Sequence, residues 1–224
     1  MSVAAEHGHE HDHPPYLAHH FFNMNQQADS VKMGMWLFLV QEILFFAGLF
    51  MAYIAMRYIY PGTWLSAAEE LDKVMGATNT VVLLTSSLTM ALGVRAAQMG
   101  NNKAVAGWCA ATLAGAYGFM IIKYLEYSHK LHVGLLPGKF FSFEGLEQNA
   151  ADAPQLFFSV YFMMTGVHGL HVVIGIGVIV WIMLKAMGNS FNSENYAAVE
   201  NVGLYWHLVD LIWIFLFPLL YLVR

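Results

Sequence analysis

Charged side chains are scarce in this chain. Only 11% of its 224 residues are Asp, Glu, Lys or Arg, while hydrophobic residues make up 58%. Because a soluble domain carries about 25% charged residues, this chain cannot cover a water-exposed globule of its size. Its mean hydropathy is +0.52. The low charge and the high hydropathy together indicate that much of the surface faces lipid.

Cysteine is limited to Cys109, and the formal net charge is -5. A single cysteine excludes an internal disulfide and a thiolate metal cluster. The negative charge argues against a nucleic-acid partner, which requires a basic surface. The motifs G-x-x-x-x-G-K-[ST], H-E-x-x-H and G-x-S-x-G do not occur. The sequence therefore predicts no catalytic centre and no metal site within the chain.

The first 30 residues are polar and rich in histidine, and we interpret them as an N-terminal tail. A secretory signal would need a basic start and an apolar core, but acidic and histidine residues stand there instead. Six of the 11 histidines fall in the first 20 residues. Such tracts can bind divalent metal weakly, but we expect a tail without a specific role.

Five long apolar blocks follow in residues 31–224. A membrane-spanning helix needs about 20 apolar residues, and each block is long enough. The fold class predicted is therefore an all-α integral membrane bundle of five transmembrane helices, at about 33–57, 74–98, 104–131, 155–186 and 203–223. The distribution of Lys and Arg near the span ends determines the orientation of many membrane proteins. Here the two sides carry nearly equal numbers of these residues, so the charge count does not determine the orientation.

The third block carries small residues at every fourth position. Two such series are present: Ala106, Ala110, Ala114 and Gly118, and Gly107, Ala111 and Gly115. Small residues at this spacing allow helix backbones to approach closely in lipid. We expect tight helix packing along these series.

Glu42 is the only ionisable residue in the first block, and it lies roughly 13 Å deep at 1.5 Å per residue. An ionisable group at that depth costs about 2.5–3.5 kcal/mol on insertion scales, so it needs a partner or a task. One interpretation is a protonatable group linked to proton traffic or to a lipid head group. The other is a neutral acid that hydrogen-bonds a neighbouring helix.

Three intramembrane histidines and one aspartate form two pairs at a spacing of three residues. His168 and His171 share one helical face, and His207 and Asp210 repeat the spacing on the fifth helix. An Asp at this distance can orient an imidazole. Metal or haem ligation is one interpretation of these residues. Hydrogen bonds between helices, or contact with lipid phosphates, is the other.

Lys123, Glu126 and Lys130 continue the helical pattern of the third block. Glu126 precedes Lys130 by four residues, which is the favourable order for an ion pair on a helix. We expect a charge-compensated helix end, with contact to a partner subunit or a lipid head group as the alternative.

These polar residues lie in motifs that resemble subunit III of the haem-copper respiratory oxidases. Residues 36–50 (WLFLVQEILFFAGLF) resemble the helix that carries that family's intramembrane glutamate. Residues 165–172 (TGVHGLHV) resemble its T-G-x-H-G-x-H-V motif, and residues 205–213 (YWHLVDLIW) its Y-W-H-F-V-D-x-x-W motif. Residues 123–127 (KYLEY) and 85–89 (TSSLT) are similar to two further segments. The order is the family's, and the likeness covers most of residues 33–224.

The resemblance implies a non-redox supporting subunit of a proton-pumping terminal oxidase. Such a subunit would stabilise subunit I, support proton uptake and bind structural phospholipid, while haem and copper would be held by subunits I and II. It implies no cofactor or catalytic centre in this chain. Glu42 would be the family's membrane carboxylate. Contacts with lipid or other subunits are expected at Lys123, Glu126, His168, His171, Trp206, His207 and Asp210.

The resemblance also implies a location in the bacterial inner membrane, with the N-terminus on the cytoplasmic side. Larger family members have seven spans, and this chain resembles the shorter five-span form, in which lipid or another subunit must cover the exposed side. Two alternatives stay open. One is a haem-binding membrane anchor of another respiratory complex that uses His168 or His171 with His207. The other is an accessory protein of a nitric oxide reductase.

Overall fold

The structure, a computed structural model, describes residues 21–135, 154–193 and 195–223. These ranges contain helices at α1 Met24–Ile59, α2 Pro61–Glu69, α3 Lys73–Gln98, α4 Asn102–Val133, α5 Pro154–Met187 and α6 Ala197–Tyr221. All but α2 are long and apolar enough to cross a membrane. This confirms the predicted five-span helical fold class. The histidine tract of the tail lies outside the described residues.

Side-chain caps determine where several helices begin. Asn23 accepts a hydrogen bond from the Gln26 amide, and Asp72 accepts from the amides of Val74 and Met75. Both occupy the N-cap position, where a side-chain oxygen satisfies an amide that has no partner within the helix. α4 ends at Gly134, whose φ of 85° is a left-handed conformation that favours glycine. α1 therefore begins within the segment that was interpreted as the tail.

The four helices α3 to α6 form a ring around the core. α3 packs against α4 and α6, and α5 packs against the other sides of α4 and α6. α1 lies outside the ring, against α6 and α2, and buries a narrow stripe of Leu39, Glu42, Phe46 and Tyr53. We call the end of the bundle where α1, α4 and α6 begin the N-side, and the opposite end the C-side.

Close helix contacts occur at glycines, but only partly where the small-residue series predicted them. A Cβ at Gly115 would lie 2.8 Å from Cβ of Ser86 on α3, so this position requires glycine. Gly107 has open space around it, and Ala110 and Ala114 are exposed. The prediction of tight packing along both series therefore holds at Gly115 and was wrong at Gly107, Ala110 and Ala114, which are exposed.

Candidate functional site

Glu42 is paired with His171 across α1 and α5. Nε2 of His171 lies 3.0 Å from Oε2 of Glu42, and the Glu42 residue is 8% exposed. Tyr205 donates a hydrogen bond to the backbone oxygen of His171 at 2.9 Å, and the ring of Phe46 packs edge-on against the imidazole. The interhelical hydrogen bond expected for the carboxyl is present.

The hydrogen bonds of His171 restrict the protonation states that this contact can adopt. Its Nδ1 lies 2.8 Å from the carbonyl oxygen of Val167. A carbonyl only accepts, so Nδ1 carries a proton. Nε2 then either accepts from a protonated Glu42 or, as part of an imidazolium, donates to a carboxylate. In both states one proton lies in the contact between the two residues, so the pair can store a proton in the apolar layer.

His168 and Trp206 are enclosed by this chain's own helices, and both are 0% exposed. His168 packs between the rings of Phe119 and Trp213, with centroid distances of 5.6 and 5.3 Å. Trp206 donates to Oγ of Ser86 at 3.1 Å. Direct contact with lipid or another subunit, which was expected for both residues, is not available to them because no atom outside the chain can reach them.

His207 is held by Ser87 of α3 and not by Asp210. Nδ1 of His207 lies 2.7 Å from Oγ of Ser87, so Asp210 does not orient this imidazole, although its spacing would allow that. Asp210 is 3% exposed, and neither of its carboxyl oxygens has a hydrogen-bond partner of good geometry among the described residues. Ser87 nonetheless lies beside this carboxyl.

A buried ion cluster lies at the C-side end of the ring, formed by Lys123, Glu126, Lys130, Tyr161 and Tyr221. Glu126 accepts from Nζ of Lys123 at 2.9 Å and from Nζ of Lys130 at 2.7 Å. The hydroxyls of Tyr161 and Tyr221 donate to the same carboxylate at 2.8 and 2.6 Å.

The expected Glu126–Lys130 ion pair is thus confirmed, but the helix end is not a solvated one. All three charged residues are at most 7% exposed, because they continue the core-facing stripe of α4 that includes Cys109, Ala116 and Phe119.

The described residues contain no group of three or more His, Cys, Asp or Glu side chains arranged to hold a metal ion. His168 is also a poor haem ligand in this fold, because the aromatic rings on both sides of its imidazole leave no space for a macrocycle. In the described part of the chain, His171 and His207 hydrogen-bond side chains of other helices, and His168 packs against aromatic rings.

Three grooves open beside these polar groups. One of about 390 Å³ on the C-side is lined by Glu69, Glu70 and Asp72 and reaches the buried Glu126 and Lys130. A second, of about 400 Å³, runs between α4 and α5 over Gly166 and Gly169. The third, of about 380 Å³, separates α3 from α6 on the N-side and ends at His207.

Ser87, Tyr161 and Tyr221 were missed by reasoning from the sequence. Ser87 is one of five residues in the 85–89 segment that was noted only for its likeness to a family motif. The two tyrosines look like ordinary aromatic residues in apolar helices, and only their position opposite Glu126 reveals their role. The spacing of Lys123, Glu126 and Lys130, which continues the buried face of α4, was the one feature of the sequence that indicated a buried ion cluster.

Comparison with known proteins places the chain in a family. The family model for cytochrome c oxidase subunit III matches residues 14–223. A probable cytochrome c oxidase subunit 3 of Nocardia farcinica is 32% identical over 194 residues, which cover 87% of this chain and 88% of that protein. Cytochrome c oxidase subunit 3 of Synechocystis is 32% identical over 196 residues, 87% of this chain and 76% of that protein.

A fused relative is also similar. The heme-copper oxidase subunit I+III of Aeropyrum pernix is 28% identical over 216 residues, which cover 94% of this chain but 24% of that protein. These matches do not favour a haem-binding anchor or a nitric oxide reductase accessory protein. With its five spans and its match to the family model along most of its length, the chain belongs to the cytochrome c oxidase subunit III family and is a supporting subunit of a haem-copper oxidase.

Proposed function

We propose that this chain packs on subunits I and II of a terminal oxidase in a bacterial inner membrane, with its N-terminus on the cytoplasmic side. In that complex it stabilises subunit I, binds phospholipid and supports proton uptake. It holds no cofactor itself, and haem and copper belong to the partner subunits. The fused subunit I+III relative supports subunit I as the neighbour, because one polypeptide there carries both.

The exposed side of α1 is the surface that we assign to the neighbouring subunit. Apart from its narrow buried stripe, α1 leaves large apolar side chains exposed, among them Trp36, Leu37 and Leu44. Gln41 is also exposed, about 17 residues into a helix of 36 residues. A side-chain amide facing hydrocarbon lacks hydrogen-bond partners, which is costly, and a second subunit can supply them.

Crosslinking tests this assignment. A photoreactive phenylalanine analogue at Gln41 is expected to crosslink to another oxidase subunit in native membranes. The same analogue at Leu44, about one turn further along the exposed side, should give the same partner. Crosslinks to lipid alone from both positions would contradict the assignment of this face.

The observation that carries the proton-linked role is the Glu42–His171 contact. The pair holds one proton about 27 Å from the start of α1 at 1.5 Å per residue. α1 lies outside the ring of α3 to α6, so the proton is close to the surface assigned to the neighbouring subunit. A group that gains or loses this proton beside subunit I can buffer protons during turnover. Glu42→Gln removes the exchangeable acid and keeps the side-chain shape.

In purified oxidase, Glu42→Gln should leave assembly intact and modestly reduce proton uptake or the number of turnovers before inactivation. Met51→Leu, an exchange of one exposed apolar side chain for another further along α1, controls for a general disturbance of the helix. Complete loss of oxygen reduction would contradict a supporting role. Unchanged proton uptake and unchanged lifetime would refute the proton-linked role.

The groove between α4 and α5 supports the proposed phospholipid. Its walls include Phe119, Met120, Leu170 and Val173, and Lys123 and Tyr127 lie along it. Its volume of about 400 Å³ suits part of an acyl chain. Gly166 forms part of its lining and has open space where a Cβ would stand.

Lipid bound to the purified chain can be counted by native mass spectrometry. Gly166→Leu should fill the groove and remove bound phospholipid. Gly177→Leu, at another open position on the same helix, should retain it. Equal lipid retention in both variants would show that the groove is not the lipid site.

A further inference from the structure

The N-side groove connects the membrane surface to the interior between α3 and α6. Arg95, Gln98 and Glu200 line its outer part, and His207 lies at its inner end. Arg95 and Gln98 are not buried. Because α3 ends at Gln98 and α6 begins at Ala197, this mouth is at the N-side surface. His207 stands ten residues along α6, about 15 Å deep at 1.5 Å per residue.

Three side chains continue inward from the groove. His207 is partly exposed, Ser87 is partly buried, and Asp210 is 3% exposed. Oγ of Ser87 lies 2.7 Å from Nδ1 of His207 and beside the Asp210 carboxyl. A serine hydroxyl both donates and accepts, so Ser87 can pass a proton between an imidazole and a carboxyl.

Asp210 is placed to hold a proton. It stands 13 residues into α6, about 20 Å along a helix that is about 37 Å long at 1.5 Å per residue. The described residues give neither of its oxygens a donor of good geometry. An unpaired buried carboxylate is very costly and neutralises instead. The resting side chain is therefore the neutral acid, and its proton can leave only if a path to water exists.

We propose that Asp210 is a proton-exchange site of this chain that communicates with the N-side solution through Ser87, His207 and the groove. In the resting state the Ser87 hydroxyl donates to Nδ1 of His207, and Nε2 carries its proton toward the groove. On release, the Asp210 O–H proton moves to Oγ of Ser87, and the Ser87 proton moves to Nδ1. The Nε2 proton moves to water.

The step leaves a carboxylate, a serine hydroxyl, the other neutral tautomer of His207 and one hydronium ion. Only O–H and N–H bonds form or break, so atoms and charge balance without a redox partner. Uptake is the reverse. This exchange is separate from the proton-linked role of Glu42, whose partner is His171 on α5, and it can be measured without oxygen reduction.

Infrared spectroscopy of the full-length chain tests the proposal. The chain has five aspartates, at positions 12, 29, 72, 152 and 210, so labelling with [4-13C]aspartate isolates a small set of carboxyl bands. The C=O stretch of a protonated aspartic acid shifts on transfer to D2O as its proton exchanges. Asp210→Asn assigns the band by removing it.

The labelled Asp210 band should shift in D2O in the wild-type chain. Ser87→Ala should slow the shift at least tenfold, while Ser87→Thr, which keeps a hydroxyl, should restore it. Thr85→Ala removes another hydroxyl on the same helix and should exchange at the wild-type rate.

His207→Phe should slow exchange as Ser87→Ala does. If circular dichroism shows that the Ser87→Ala variant does not fold, His207→Phe tests the relay in its place. Wild-type exchange rates in the folded Ser87→Ala or His207→Phe variant would overturn the relay. Absence of a protonated Asp210 band would overturn the site itself.

Discussion

Replacing Glu126 tests the energetics of the ion cluster most sharply. Its carboxylate accepts from two lysine ammonium groups and two tyrosine hydroxyls, all at 2.6–2.9 Å. Glu126→Gln keeps the shape but leaves two buried ammonium groups without a counter-charge. Removing one partner of a buried ion pair costs about 3–5 kcal/mol, so we expect a loss of that size in the free energy of unfolding.

Lys123→Met should cost less than Glu126→Gln. It leaves Glu126 paired with Lys130, one anion with one cation. It removes the hydrogen bonds that Nζ of Lys123 donates to Glu126 and to the hydroxyls of Tyr161 and Tyr221, of which the charged bond to Glu126 is worth about 1.5–3 kcal/mol. The order of the two variants follows from the charge count of the cluster, two cations to one anion. A cluster that is stabilised by packing alone would not produce that order.

Reversible unfolding of the full chain, titrated with a denaturing detergent in mixed micelles, measures both losses. Glu70→Gln, at an exposed position on the rim of the C-side groove, is the matched control and should be nearly neutral. A Glu126→Gln loss below about 1 kcal/mol, which is typical of a surface pair, would show that Glu126 does not neutralise two buried ammonium groups.

Three further substitutions and one control test helix contacts, the first two in the same unfolding assay and the third by proteolysis. Gly115→Ala should cost about 1–3 kcal/mol through overpacking against Ser86, whereas Gly107→Ala should be neutral; equal effects would contradict the close approach of α3 and α4 at Gly115. Trp206→Phe loses its bond to Ser86 and should cost about 0.5–1.5 kcal/mol for that bond, and no loss would show that the bond contributes nothing. Tyr53→Phe removes the hydroxyl that donates to a carbonyl of α6 and should loosen α1, as protease sensitivity would report; unchanged sensitivity would show that other contacts hold α1.

The fold class was largely predictable because spans are read from local composition. Length and hydropathy located all five helices to within a few residues at most ends. The short helix α2 was not predicted because it lies between two apolar blocks, although Pro61 stands at its first position, which suits proline. The start of α1 also depended on a cap at Asn23 that hydropathy does not register.

The candidate site was predictable as a set of residues but not as a set of partners. Glu42, His171 and His207 were identified because polar groups are rare in these helices. Their partners depend on helix rotation and crossing, which sequence spacing alone does not determine. For that reason His207 pairs with Ser87 on another helix rather than with the aspartate three residues away.

The subunit composition of the purified native complex shows whether this chain is part of a haem-copper oxidase. The tagged chain, drawn from gently solubilised membranes, should bring down a haem-copper subunit in a fixed ratio, together with haem absorption and oxygen consumption. A stable complex that contains this chain but no haem-copper subunit would show that the chain is not a subunit of such an oxidase.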